Sequence, residues 1–130
     1  MTKSDIKNLI KEAKAVLKYS YSPYSHYAVS AALLTSDGKI FTGVNIENAS
    51  YGASMCAERV AVFKAVSEGH KNFEAIAVTT AGDSAKPYPC GICRQVLSEF
   101  SPNMTVIVAM DEEHYEVLKL SDILPHKFEL

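Results

Sequence analysis

The chain holds three cysteines, and they are grouped rather than scattered. Cys56-Ala57-Glu58 opens one apolar-periodic stretch, and Pro89-Cys90-Gly91-Ile92-Cys93 opens another. An odd number of thiols cannot pair off within one chain. Four chemistries compete for such a set. Buried structural cysteines would account for one thiol, but not for a C-x-x-C beside a proline and a glycine. A thioredoxin-like redox pair of Cys90 and Cys93 would leave Cys56 and Glu58 without a task. A closed structural zinc site needs four protein ligands. It would have to borrow His26, His70, His114 or His126, none of which stands at knuckle spacing. A catalytic zinc takes three protein ligands and leaves its fourth position to water. This last reading uses every residue, with Cys56, Cys90 and Cys93 as ligands and Glu58 as the general base beside the water.

The electrostatics of that reading raise a demand. Three thiolates on one Zn²⁺ leave the site at net −1, which weakens the metal as a Lewis acid. Helix N-termini relieve part of this, because their free N–H groups and dipole favour thiolates and carboxylates. Arg59 follows Glu58, Arg94 follows Cys93, and these are the only arginines in the chain. An arginine beside each ligand group suits hydrogen bonding to sulfur and compensation of thiolate charge.

The elements that must position these residues are legible in the patterning. Ile6, Leu9, Ile10, Ala13, Val16 and Leu17 recur at helical spacing over Ser4–Leu17, with Ser4 or Asp5 as cap. Ser22-Pro23-Tyr24-Ser25 is turn chemistry. Val29–Thr35 and Lys39–Val44 read as strands joined by a hairpin turn at Ser36-Asp37-Gly38. Asn45–Met55 is a polar loop. Cys56–Ser67 is a helix stopped by Gly69, Phe73–Thr80 a strand, and Cys90–Phe100 a second short helix. Met104–Met110 and Tyr115–Leu120 complete the strands, and a short turn and loose tail follow. The apolar run Val106-Ile107-Val108 after a helix implies parallel pairing with a crossover, whereas the first hairpin is antiparallel. The expected fold is therefore α/β, a three-layer α-β-α sandwich with a mixed five-stranded sheet, as one domain over residues 1–130.

Composition narrows the function classes. Thirteen basic against fifteen acidic residues give a net charge of −2, which offers no basic surface for nucleic acid or anionic membrane. Charged residues at 22% and apolar ones at 48% suit a globular chain. No apolar run approaches the roughly 20 residues of a membrane span. The first residues lead into an amphipathic stretch rather than an export signal, so a cytoplasmic protein with reduced thiols is expected.

Cys-Ala-Glu at 56–58 followed by Pro-Cys-Gly-Ile-Cys-Arg-Gln at 89–95 resembles the small homotetrameric zinc-dependent cytidine deaminases. The resemblance extends to Pro23-Tyr24-Ser25, to Gly43–Tyr51 and to Leu124-Pro125. It implies one Zn²⁺ per subunit on Cys56, Cys90 and Cys93, with Glu58 as proton shuttle. It implies hydrolytic deamination of cytidine and 2'-deoxycytidine in pyrimidine salvage. Asn45 and Glu47 match the pair that holds the ribose hydroxyls. Tyr27 stands where a phenylalanine usually packs on the pyrimidine, Ala57 offers backbone contact to the base, and Ala49 belongs to the same substrate-binding set. Tyr51 and Phe128 match aromatics that close the sites across subunit contacts in a homotetramer. The chain departs from the pattern at Tyr27, at Ser30 (usually glycine) and at Ile92 (usually small). The zinc signature is shared with the blasticidin-type deaminases, and a zinc-stabilised binding module is the non-enzymatic rival.

Overall fold

A computed structural model describes residues 1–82 and 84–130. Helix α1 spans Lys3–Val16. Its cap is Thr2, rather than Ser4 or Asp5, because Thr2 and Asp5 satisfy each other's backbone N–H groups in a capping box. A 3₁₀ turn over Leu17–Tyr19 tightens its exit. Strands β1 (Val29–Thr35) and β2 (Ile40–Val44) form the expected hairpin. Helix α2 (Ala57–Ser67), strand β3 (Phe73–Thr80), helix α3 (Gly91–Phe100) and strands β4 (Thr105–Ala109) and β5 (Tyr115–Lys119) follow. The turn expected after β5 is a one-turn helix, α4, at Leu120–Ile123.

The sheet is mixed and five-stranded, in the order β2-β1-β3-β4-β5. Only β3 and β4 pair in parallel, and α3 is the crossover between them. The two-residue period sends alternate side chains to opposite faces. Leu33, Ile76, Val78, Val106 and Val108 pack under α2 and α3. Ala32, Ala75, Ala77, Ile107 and Ala109 meet Ile6, Leu9, Ile10 and Ala13 of α1. Both faces are covered, which is why β1, β3 and β4 read as nearly continuous apolar runs. Ser30, the polar departure in β1, is fully buried, and its hydroxyl donates to the Ala13 carbonyl at 2.6 Å. That bond ties the last turn of α1 to the sheet.

Two details seat the helices that carry the cysteines. Gly43 of β2 lies against the start of α2. A Cβ there would stand 2.4 Å from the Ala57 carbonyl oxygen and 2.6 Å from the Ala61 nitrogen. Only a hydrogen fits, so α2 rests directly on β2. The second detail is direction. One helix enters β3 and the next leaves it, on the same face of the sheet. Both run back along β3, so both N-termini meet at its carboxyl end. The fold thereby brings residues 56 and 90 together.

Candidate active site

Cys56 is the N-cap of α2 and Cys90 the N-cap of α3. Neither sulfur is used to cap its own helix, so both are free to point outward. Cys93 lies on the first turn of α3 and is fully buried. The three thiols are unpaired, and their Sγ atoms all lie within 4.8 Å of one another, with Cys56 and Cys90 at 3.9 Å. Zinc–sulfur bonds of about 2.3 Å at tetrahedral angles space ligands roughly 3.8 Å apart, so the cluster fits that ion. Among the described residues no histidine joins the group. The set offers three sulfurs and leaves a fourth position to another donor, which matches an open site rather than a closed one.

The protons of the cluster are already unevenly held. Hydrogen bonding from Cys93, with help from the Arg59 guanidinium, brings the Cys56 thiol down to about 5. The same contact with Cys56, together with burial, holds Cys93 protonated. A cation arriving there displaces that proton, as thiolate metal sites require. Glu58 is only 4% exposed, and burial pushes its carboxyl up to about 7. A buried carboxyl poised near neutrality beside a metal-binding cluster suits proton transfer in both directions.

The two arginines separate. Arg59 Nη2 donates to Cys56 Sγ at 3.3 Å. Its Nε is buried with no hydrogen-bond partner, an unmet donor beside the sulfurs. Arg94 corrects the expectation of a guanidinium on each ligand group. Its Nε donates to the Pro89 carbonyl and its Nη1 to the Ile123 carbonyl, both at 2.8 Å. It ties the approach to α3 to α4, because those two carbonyls lie within the reach of its fork.

Cys56, Ala57, Glu58 and Cys90 open onto a pocket of about 520 Å³, whose other walls include Tyr27, Asn45 and Glu47. The two polar residues are already tied to the chain. Asn45 Oδ1 accepts from the Val29 N–H and the Ser20 hydroxyl, and its Nδ2 donates to the Tyr27 carbonyl at 2.7 Å. Glu47 accepts from the N–H groups of Tyr24 and Ser25 and from the Ser25 hydroxyl, and these bonds hold its carboxyl below the usual range. Each retains one unused hydrogen-bonding position for a ligand. Tyr51 and Phe128, at 76% and 67% exposed, stand outside this pocket, and Ala49 is exposed beside Tyr51. Tyr51 packs edge-on against Tyr24, and the Phe128 backbone is held by Gln95. Patterning did not single out Ser20, Ser25 or the wall at Ala85–Tyr88. Their only signals were turn residues and two prolines.

The profile of the cytidine and deoxycytidylate deaminase zinc-binding region matches residues 3–110, and the chain belongs to this family. Zinc is the metal of the family. A cytidine deaminase of Halalkalibacterium halodurans is 46% identical over 126 residues, covering 95% of this chain and 94% of that protein. The crystal structure of cytidine deaminase from Burkholderia pseudomallei superposes with a TM-score of 0.86. It is 44% identical and covers 93% of this chain and 97% of that one. A blasticidin-S deaminase of Bacillus cereus is more distant, 28% identical over 132 residues, covering 92% of this chain and 89% of that one.

Proposed function

We propose that this protein catalyses the zinc-dependent hydrolytic deamination of cytidine and 2'-deoxycytidine. The observation that carries this is a cluster of three thiols, two of which line a single pocket together with one buried carboxyl. Cys56, Cys90 and Cys93 hold the zinc, which supplies Lewis acidity and an acidified water when bound. Glu58 takes a proton from the attacking water and passes it to N3 of the cytosine as the new C4–O bond forms. It then takes the remaining proton from the C4 hydroxyl and delivers it to the exocyclic amine, so that the C4=O bond forms, the C4–N bond breaks and ammonia leaves. Burial keeps the carboxyl able to do both at neutral pH. Arg59 steadies the Cys56 thiolate. The Tyr27 ring packs on the base, the Ala57 backbone contacts it, and Ala49 belongs to the same binding set.

Asn45 and Glu47 bind the sugar through the positions that Ser20, Ser25, Tyr24, Val29 and Tyr27 leave open. Their other bonds fix them in place beforehand, which lowers the cost of ordering them on binding. A sugar hydroxyl missing from the ligand leaves a buried polar group unpaired, so the nucleoside is preferred over the free base. The carboxylate of Glu47 also disfavours a nearby phosphate. The exposed aromatics Tyr51 and Phe128 suit a homotetramer in which neighbouring subunits complete each site. No helix among the described residues is long and apolar enough to cross a membrane, and we place the enzyme in the cytoplasm, in pyrimidine salvage.

Loss of cytidine absorbance in the ultraviolet, followed with zinc content on the same purified protein, tests the reading. Turnover with one zinc per chain is expected. Bound zinc with no absorbance change would make the protein a binding module, and faster turnover of a blasticidin-type nucleoside than of cytidine would make it an antibiotic deaminase.

A further inference from the structure

Residues 85–88 form one wall of the pocket and run straight into Cys90. No helix or strand includes them, so side chains fix where this wall stands. From the β1 side, the Tyr27 hydroxyl donates to the Ala85 carbonyl at 2.5 Å, linking residues 58 positions apart. From the β5 side, Glu116 accepts from the Tyr88 hydroxyl and pairs with Lys86 at 3.2 Å. The outer anchor is exposed to water and weakened by it. The inner one joins the half-buried Tyr27 to the exposed Ala85, and burial of the ring holds the phenol in its neutral, donating form.

We propose that Tyr27 is a positioning residue whose hydroxyl, by pinning Ala85, limits the size of the group a cytosine nucleoside can carry at C5. The proposal rests on the deaminase reading. There the base turns N3 toward Glu58 of α2. C5 lies on the opposite side of C4 and faces the segment that leads into Cys90. The ring of Tyr27 and the 85–88 wall then meet the base from two directions, and a single hydrogen bond sets the gap between them. Without it the wall retreats and a larger C5 substituent is admitted.

Tyr27→Phe keeps the ring and removes only the hydroxyl. Zinc-loaded wild type and variant are compared on cytidine and 5-bromocytidine, which cancels the electronic effect of bromine. The ratio of kcat/KM for 5-bromocytidine to that for cytidine is expected to rise about tenfold in the variant. KM for cytidine should rise by a larger factor than kcat falls. Amide hydrogens of Ser84, Ala85, Lys86 and Tyr88 should exchange faster. A merely structural role would lower the melting temperature without moving the ratio, and that result overturns the proposal. So does an unchanged ratio, whether or not exchange quickens. A wild-type protein that fails to turn over cytidine overturns the deaminase reading and this inference together. An active wild type with an unmoved ratio overturns this inference alone.

Discussion

The starts of α2 and α3 are built from the same parts and are put to different uses. Each has a cysteine at the N-cap, and each has an arginine in its first turn or the next. At α2 the first turn is buried, its carboxyl is pushed up to about 7, and its arginine donates to sulfur. At α3 the capping cysteine is exposed, and the arginine reaches two backbone carbonyls. One start therefore holds a carboxyl poised near neutrality beside the sulfurs, and the other spends its arginine on backbone geometry. The lesson is that residue type and spacing propose a role, while the donors and acceptors within reach decide it.

The comparison can be broken at four points. Cys90→Ala is expected to abolish cytidine turnover and reduce zinc below one per chain, read by metal analysis after gel filtration. Stoichiometric zinc in that variant would remove α3 from the metal site. Glu58→Gln should keep its zinc and lose about 10³-fold in kcat; a rate near wild type would show that α2 moves no proton. Arg59→Gln should weaken zinc about tenfold in competition with a chelator, because the sulfur loses its donor, with a smaller loss in kcat. Arg94→Gln should leave zinc affinity alone and lower unfolding free energy by about 2 kcal/mol in urea titration. If Arg94→Gln instead weakens zinc as much as Arg59→Gln does, the two starts are equivalent after all.

Most of the fold was legible because its signals are local. Ile6, Leu9, Ile10 and Ala13 mark the buried stripe of α1, and Asp37-Gly38 marks the hairpin. The metal cluster was legible for a related reason. Its cysteines sit where helices begin, and the order of elements forces those beginnings together. What escaped depends on distant partners. Nothing near Arg94 in the sequence says that Ile123 will lie beside it. Asn45 and Glu47 read as ligand-binding or turn residues, and in the folded chain they are tied to turns while lining the pocket. The wall at 85–88 lacks periodicity, and it is tied to Tyr27, just before the interior strand β1, and to Glu116 of the edge strand β5. The Thr2 cap was missed because the first Ser and Asp after it looked sufficient.

Gly43 belongs neither to the sulfur cluster nor to the pocket lining, yet it acts as the gauge block of the metal site. The backbone that would collide with a methyl at position 43 is that of Ala57 and Ala61, on the same turns that carry Cys56 and Glu58. Lifting α2 to make room would carry those two groups away from Cys90 and Cys93, which belong to a different helix. Three sulfurs can share one ion only while their spacing holds to a few tenths of an ångström. The tolerance of the metal centre is thus set by an absent carbon atom on a strand that contributes no ligand.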